Sequence, residues 1–388
     1  AASVGTAAVV FGGLVNGDDL SVTASGVFAD KHVGSGKTVT LSSSYGGADL
    51  GNYSITGQAT TTAAITPKAL TVSGLVAADK VYDGGVAASI SAASVVFGGL
   101  VNGDDLSVTA TGTFADKAVG SGKTVTLSSS FGGTDAGNYS ITPQASTTAS
   151  ITPKALTVSG LVAADKVYDG GTAASVSTAA VVFGGLVNGD DLSLTATGAF
   201  ADKAVGSGKT VTLSSSYSGA DLGNYSITGQ ATTTASITPK ALTVSGLVAA
   251  DKVYDGGTSA SVSTAGVVFG GLVNGDDLSL TATGVFADKN AGSGKTVTLS
   301  SSFAGADLGN YSVTPQAGTT ASIVPKALTV SGLTAQDKVY DGTTAASVST
   351  AAAVFAGLVN GDDLSVTASG VFADKAVGSG KTVTLSSS

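Results

Sequence analysis

Asn-Gly-Asp-Asp-Leu begins at Asn16, Asn102, Asn188, Asn274 and Asn360, and every interval is 86 residues with no insertion or deletion. A period this long exceeds that of the usual solenoid repeats, so each copy can close a core of its own and the chain reads as a string of domains. The phase places partial repeats at 1–66, lacking a first strand, and at 325–388, lacking the last two. Complete repeats fall at 67–152, 153–238 and 239–324. Only Thr66-Pro67-Lys68 or Thr152-Pro153-Lys154 separates neighbours. Proline fixes its own φ and keeps the preceding residue extended, which predicts stiff junctions and a rod. At about 3.3 Å per strand residue each domain would add roughly 35 Å, and the chain would span on the order of 150 Å.

Within one copy the pattern is that of strands. Leu70 and Val72 share a face of 68–76, and Ala88, Ile90 and Ala92 alternate after the Gly-rich turn at Gly84-Gly85. Leu106, Val108, Ala110, Gly112 and Phe114 face one way, with Ser107, Thr109, Thr111 and Thr113 opposite. That period of two predicts sheets with one wet face. Asn102-Gly103 between apolar runs predicts a hairpin joining 95–101 to 106–114. Val125 and Leu127 point inward from the next strand, and a Thr-rich strand over 145–151 ends the copy. No ten-residue segment shows a helical apolar period.

Asp49-Leu50-Gly51-Asn52-Tyr53-Ser54-Ile55 returns at Asp135, Asp221 and Asp307. Its spacing fits a tyrosine corner, in which the ring packs inward and the hydroxyl returns to nearby backbone. With about seven short strands per copy, the expectation is an all-β chain of tandem immunoglobulin-like β-sandwich domains. Ile55, Ile141, Ile227 and Val313 stand where antibody domains place a cysteine.

Composition excludes several functions. The chain has no Cys, ruling out disulfides and thiolate metal sites. All 18 cations are Lys and all 27 anions Asp, for a net charge of −9 spread evenly over the copies, which argues against a nucleic-acid footprint. No apolar run approaches the roughly 18 residues of a transmembrane segment. The lone His32 is replaced by Ala118, Ala204, Asn290 and Ala376 in the other copies, so no catalytic, cofactor-binding or metal constellation is expected, and no enzyme.

Several motifs imitate sites. Gly34-Ser35-Gly36-Lys37-Thr38 resembles the end of a phosphate loop, but Lys31, Lys117, Lys203, Lys289 and Lys375 occupy the place of its first Gly, and a strand follows instead of a helix. Asp104 with Asp105, and Asp79 with Asp83, could offer oxygens to calcium, although no EF-hand array is present; their plainer reading is turn bracing, with Asp116-Lys117 and Asp79-Lys80 as surface charges. Asn52, Asn138, Asn224 and Asn310 head formal glycosylation sequons that the turn explains first. A Lys to Asn crosslink is conceivable, but neither residue sits in an obviously apolar strand centre.

Asp79-Lys80-Val81-Tyr82-Asp83-Gly84-Gly85, then G-D-D-L-S-V-T-A, F-A-D-K, G-S-G-K-T-V, G-N-Y-S-I-T and T-A-S-I-T-P-K-A-L-T-V, resembles the YDG-type repeats of large exported bacterial proteins, many of them filamentous-haemagglutinin-like adhesins. The Tyr-Asp-Gly falls on Tyr82, Asp83 and Gly84 and again at Tyr168, Tyr254 and Tyr340; Gly85, Gly171 and Gly257 stand where Thr343 gives the more typical ending. The resemblance implies an extracellular or outer-surface bacterial fibre and no catalytic residues. The leading expectation is a rigid stalk or filament element whose partners are further copies of the same repeat in a longer chain, with lateral self-association. The alternative is an adhesin module binding glycan or another surface multivalently. Outward strand positions are mostly Ser and Thr, which favours the spacer.

Overall fold

The computed structural model describes all 388 residues. The chain is all-β, built of five tandem repeats, and its only helical segments are four three-residue 3-10 turns. No helix is long and apolar enough to cross a membrane.

In the second repeat the strands are β1 (Lys68–Ser73), β2 (Val76–Ala77), β3 (Lys80–Val81), β4 (Ala87–Ala88), β5 (Ile90–Ser91), β6 (Val96–Gly98), β7 (Ser107–Phe114), β8 (Gly120–Gly132), β9 (Tyr139–Thr142) and β10 (Ser146–Thr152). A three-stranded sheet has the order β9-β1-β6, a five-stranded sheet the order β3-β10-β8-β7-β4, and β2 pairs with β5 between them, so the sheets wrap in a barrel-like manner. Two pairings are parallel, β1 with β9 and β3 with β10. The fourth repeat pairs in the same way at Lys240 to Tyr311 and at Lys252 to Ile323.

Alternation along each strand sets what is buried. Leu70, Val72, Leu75 and Tyr139 form one cluster with Phe97, Leu106, Val108 and Phe131 against it, while Ser107, Thr109 and Thr111 remain exposed. Each apolar side chain sealed this way contributes about 1.5–3 kcal/mol. Gly112 of β7 pairs with Ala88 of β4; a Cβ there would sit 2.5 Å from Ile90 Cδ1 and 2.8 Å from Val125 Cγ1, so glycine leaves the space these two side chains fill.

Two local expectations are corrected. The strands flanking Asn102-Gly103 do not form a hairpin: β6 pairs with β1, and β7 with β8 and β4. Gly103 has φ +91 and no non-glycine residue has positive φ, so with Asp104 N–H bonded to Val101 O the turn has type II character. A type I′ hairpin turn needs positive φ at both central residues; this turn instead carries the chain from one sheet to the other. The Tyr139 hydroxyl also reaches further than a local corner, accepting the Val101 N–H at 3.0 Å and donating to Asp104 Oδ2 at 2.6 Å.

The chain divides into two compact units. The first comprises 1–160, 178–195 and 215–230, the second 161–177, 196–214 and 231–388. The division falls inside the third repeat, so every repeat junction lies within one unit or the other. In the first unit, Tyr82, Phe114, Val125 and Ile151 of the second repeat share a single apolar cluster with Leu156, Val158 and Tyr225 of the third. In the second unit, Tyr168, Phe200 and Ile237 join Leu242 and Tyr311.

Candidate functional site at the repeat junction

Where a repeat carries Tyr-Asp-Gly and another follows it, the junction brings that end onto the Asn-Gly-Asp-Asp turn of the next. In the first compact unit the type II turn at Gly189, φ +91, presents Asp190. The 3-10 turn Leu222–Asn224 delivers Tyr225, whose hydroxyl accepts the Val187 N–H at 2.9 Å and donates to Asp190 Oδ2 at 2.6 Å. From the preceding repeat, the Tyr82 hydroxyl donates to the same oxygen at 2.8 Å, and Lys117 Nζ reaches Asp190 Oδ1 at 3.0 Å and Asp221 Oδ1 at 3.2 Å. The Tyr82 and Tyr225 rings meet edge to face, centroids 5.5 Å apart, and Lys117 Nζ lies 5.9 Å from the Tyr82 centroid. Asn224 Oδ1 accepts the Val119 N–H at 3.0 Å. Gly84, φ +80, lies so close to Val187 that a Cβ would come within 2.8 Å of Cγ1.

The arrangement recurs. Lys31 binds Asp104 and Asp135, and Val33 N–H binds Asn138. Tyr168, Lys203 and Tyr311 converge on Asp276. Tyr254 and Lys289 converge on Asp362.

The Asp190 side chain is only 2% exposed. Burial alone would raise its carboxyl, but the donated bonds from Tyr225, Lys117 and Tyr82 outweigh that and hold it below the usual carboxylate range. Tyr225 is pushed up to about 12, first by burial and then by its bond to Asp190. The two shifts give stability opposite pH dependences. The depressed Asp190 contributes stability above the unfolded carboxylate value of about 3.9, lost as pH falls through the folded value. The raised Tyr225 contributes below about 10, and that contribution is lost as pH climbs through about 12. Thermal melts of the chain should therefore hold a plateau from pH 5 to 9 and fall on both sides, and Asp190→Asn should flatten the acid limb; an acid limb identical in the variant would contradict the assignment.

The lysines that spoil the phosphate-loop pattern, Lys31, Lys117, Lys203 and Lys289, are the junction cations, a role the sequence reading missed; their recurrence in every copy was the available signal. Gly120-Ser121-Gly122-Lys123 itself forms an irregularity in β8, where pairing steps from Gly120 with Ile151 to Lys123 with Ala149, and Lys123 binds Asp116. The Asp79-Lys80 pair is no free surface charge. Asp79 Oδ1 accepts the Ser150 N–H at 2.6 Å. Lys80 is held by Asp83 Oδ1, Gly85 O and Ala87 O, with its ammonium 5.7 Å from the Phe114 centroid. Asp104 is taken by Tyr139 and Lys31, Asp105 Oδ2 by the Thr134 N–H, and no group of three or more His or Asp residues is placed to hold a metal ion. Asn224 and Asn310 are 7% exposed inside junctions, where a glycan has no room. His32 is exposed, its backbone N–H bonded to Asp30.

Against family models, the chain matches the YDG domain over residues 1–63, 66–149, 152–235, 238–320 and 324–388. No curated protein matches it.

Proposed function

Since the chain belongs to the YDG domain family, in five tandem copies, we propose that it is the structural repeat region of an extracellular bacterial surface or matrix fibre, acting as a rigid stalk or filament element. The observation that carries this reading is the junction. A neighbour's carboxylate, with its side chain 2% exposed, is shared by Tyr82, Tyr225 and Lys117, and the one-proline connection beside it leaves little freedom to hinge. Immunoglobulin-like sandwich domains are part of the proposal, supported by the three-stranded and five-stranded sheets of each complete repeat and by the tyrosine that follows its 3-10 turn. Lateral association into filaments is favoured by the edge strands β3, β4, β6 and β9, whose only charge is that of Lys80.

Negative-stain images of the 388-residue chain test the stalk. Particles of uniform length near 150 Å, the spacing expected at about 3.3 Å per strand residue, are the expected result. Particles bent through widely varying angles would overturn it.

A further inference from the structure

In the second repeat the N-terminal segment runs parallel to the C-terminal segment and is bonded to it at both ends and at points between. Lys68 to Thr71 pair with Tyr139 to Thr142. Next, the Gln144 amide grips Leu75 twice, Oε1 accepting the Leu75 N–H and Nε2 donating to Leu75 O, both at 2.9 Å. Asp79 Oδ1 accepts the Ser150 N–H at 2.6 Å. Lys80 and Val81 then pair with Ile151 and Thr152, and the Tyr82 N–H closes the series on Thr152 O at 2.9 Å. The fourth repeat builds the same series through Lys240 with Tyr311, Leu247 with Gln316, Asp251 with Ser322, and Tyr254 with Val324.

We infer that these paired terminal segments form a tension clamp, and that bearing load along the chain is a further function of the array. The direction of pull decides the mechanics. Tension enters a repeat at Lys68 and leaves at Thr152, the opposite ends of two segments running the same way. Pulling slides one along the other, so the backbone ladders, both Gln144 bonds and the Asp79 bond share the load and must fail together. An antiparallel pair pulled apart at facing residues opens one bond at a time. With Pro153 alone between Thr152 and Lys154, load leaving β10 enters the first strand of the following repeat directly. The inference rests on the stalk reading for its use, but not for its physics.

The absence of cysteine allows two handle pairs in the same repeat of the full chain. Thr66→Cys with Pro153→Cys loads the second repeat along its axis. Thr109→Cys with Ser130→Cys, exposed cross-strand partners on β7 and β8, loads it across. Circular dichroism melts confirm that both variants fold. Under optical tweezers at one loading rate, forced unfolding reports the barrier along each direction. The axial pull is expected to need several-fold more force and to release the repeat in one step of roughly 300 Å, at about 3.5 Å per extended residue. An axial force equal to or below the transverse force would overturn the clamp, as would an axial release in several small steps. Bent particles in negative stain with a high axial force would remove the stalk and leave the clamp. Straight particles with a low axial force would do the reverse.

Discussion

Tyr168→Ala is expected to destabilise the chain around the junction of the third and fourth repeats by about 3–5 kcal/mol, the range for truncating a large buried aromatic. Tyr168 is 1% exposed, with its ring edge to face against Tyr311 at 5.6 Å. Its hydroxyl reaches Asp276 Oδ2 at 2.9 Å, and Lys203 Nζ lies 5.9 Å from its ring centroid. The aromatic pair adds about 0.5–1.5 kcal/mol beyond area. Asp276 keeps Tyr311 and Lys203 when Tyr168 is lost, so its charge is not orphaned and the cavity dominates. Tyr168→Phe removes only the hydroxyl and should cost about 1 kcal/mol. Tyr340, at the same place in the fifth repeat, is 60% exposed, and Tyr340→Ala should change stability by no more than about 0.5 kcal/mol. Hydrogen exchange at the Val205 and Val273 amides, read against denaturant, resolves this junction from the rest of the chain. Equal effects at Tyr168 and Tyr340 would mean that the signature tyrosine stabilises its own repeat and not the contact with the next.

The second large effect concerns two positions that vary together between copies. Tyr45 accompanies Gly57, Phe131 accompanies Pro143, Tyr217 accompanies Gly229 and Phe303 accompanies Pro315. Sterics account for the pairing: a Cβ at Gly57 would lie 2.3 Å from the Tyr45 hydroxyl, and one at Gly229 would lie 2.4 Å from that of Tyr217. A phenol leaves no room for proline, and a phenyl does. Gly229→Pro alone should cost about 1–3 kcal/mol through overpacking. Tyr217→Phe alone should be neutral or stabilising, because the Tyr217 hydroxyl is buried without a hydrogen-bond partner. Together they recreate the pairing of the second and fourth repeats. The double variant should exceed the parent by about 0.4–1 kcal/mol, since proline restricts the unfolded chain at a backbone position that already accepts it. A double-mutant cycle from denaturant melts measures the coupling. Additive effects would show that the two positions vary independently.

Much of each repeat was legible because strand alternation is a local signal. Leu70, Val72, Val125 and Phe114 turned inward as their spacing indicates, and Ser107, Thr109 and Thr111 outward. Asn102-Gly103 misled because Asn-Gly serves a type I′ hairpin and a type II crossover equally well; the choice depends on which sheet the next strand joins, a contact far away in sequence. The reach of the Tyr139 hydroxyl to Val101 was hidden for the same reason.

By itself the sequence determined the all-β class, the tandem organisation and the inward face of the main strands, since each follows from a period of two or of 86. Which repeat a residue serves was decided only by the tertiary structure. Tyr82, Lys117 and Asp104 recur in every complete copy, and in a chain that repeats without insertion a bond to one's own Asp and a bond to the next copy's Asp leave the same invariance. Tyr82 has Asp104 closer in sequence, yet its hydroxyl goes to Asp190, 108 residues away. The parallel terminal strands place Tyr82 beside Thr152 at the end where the chain leaves the repeat, while Asp104 lies with Tyr139 at the end where it enters. That geometry turns the family's signature motif from a feature of one domain into the bond between two.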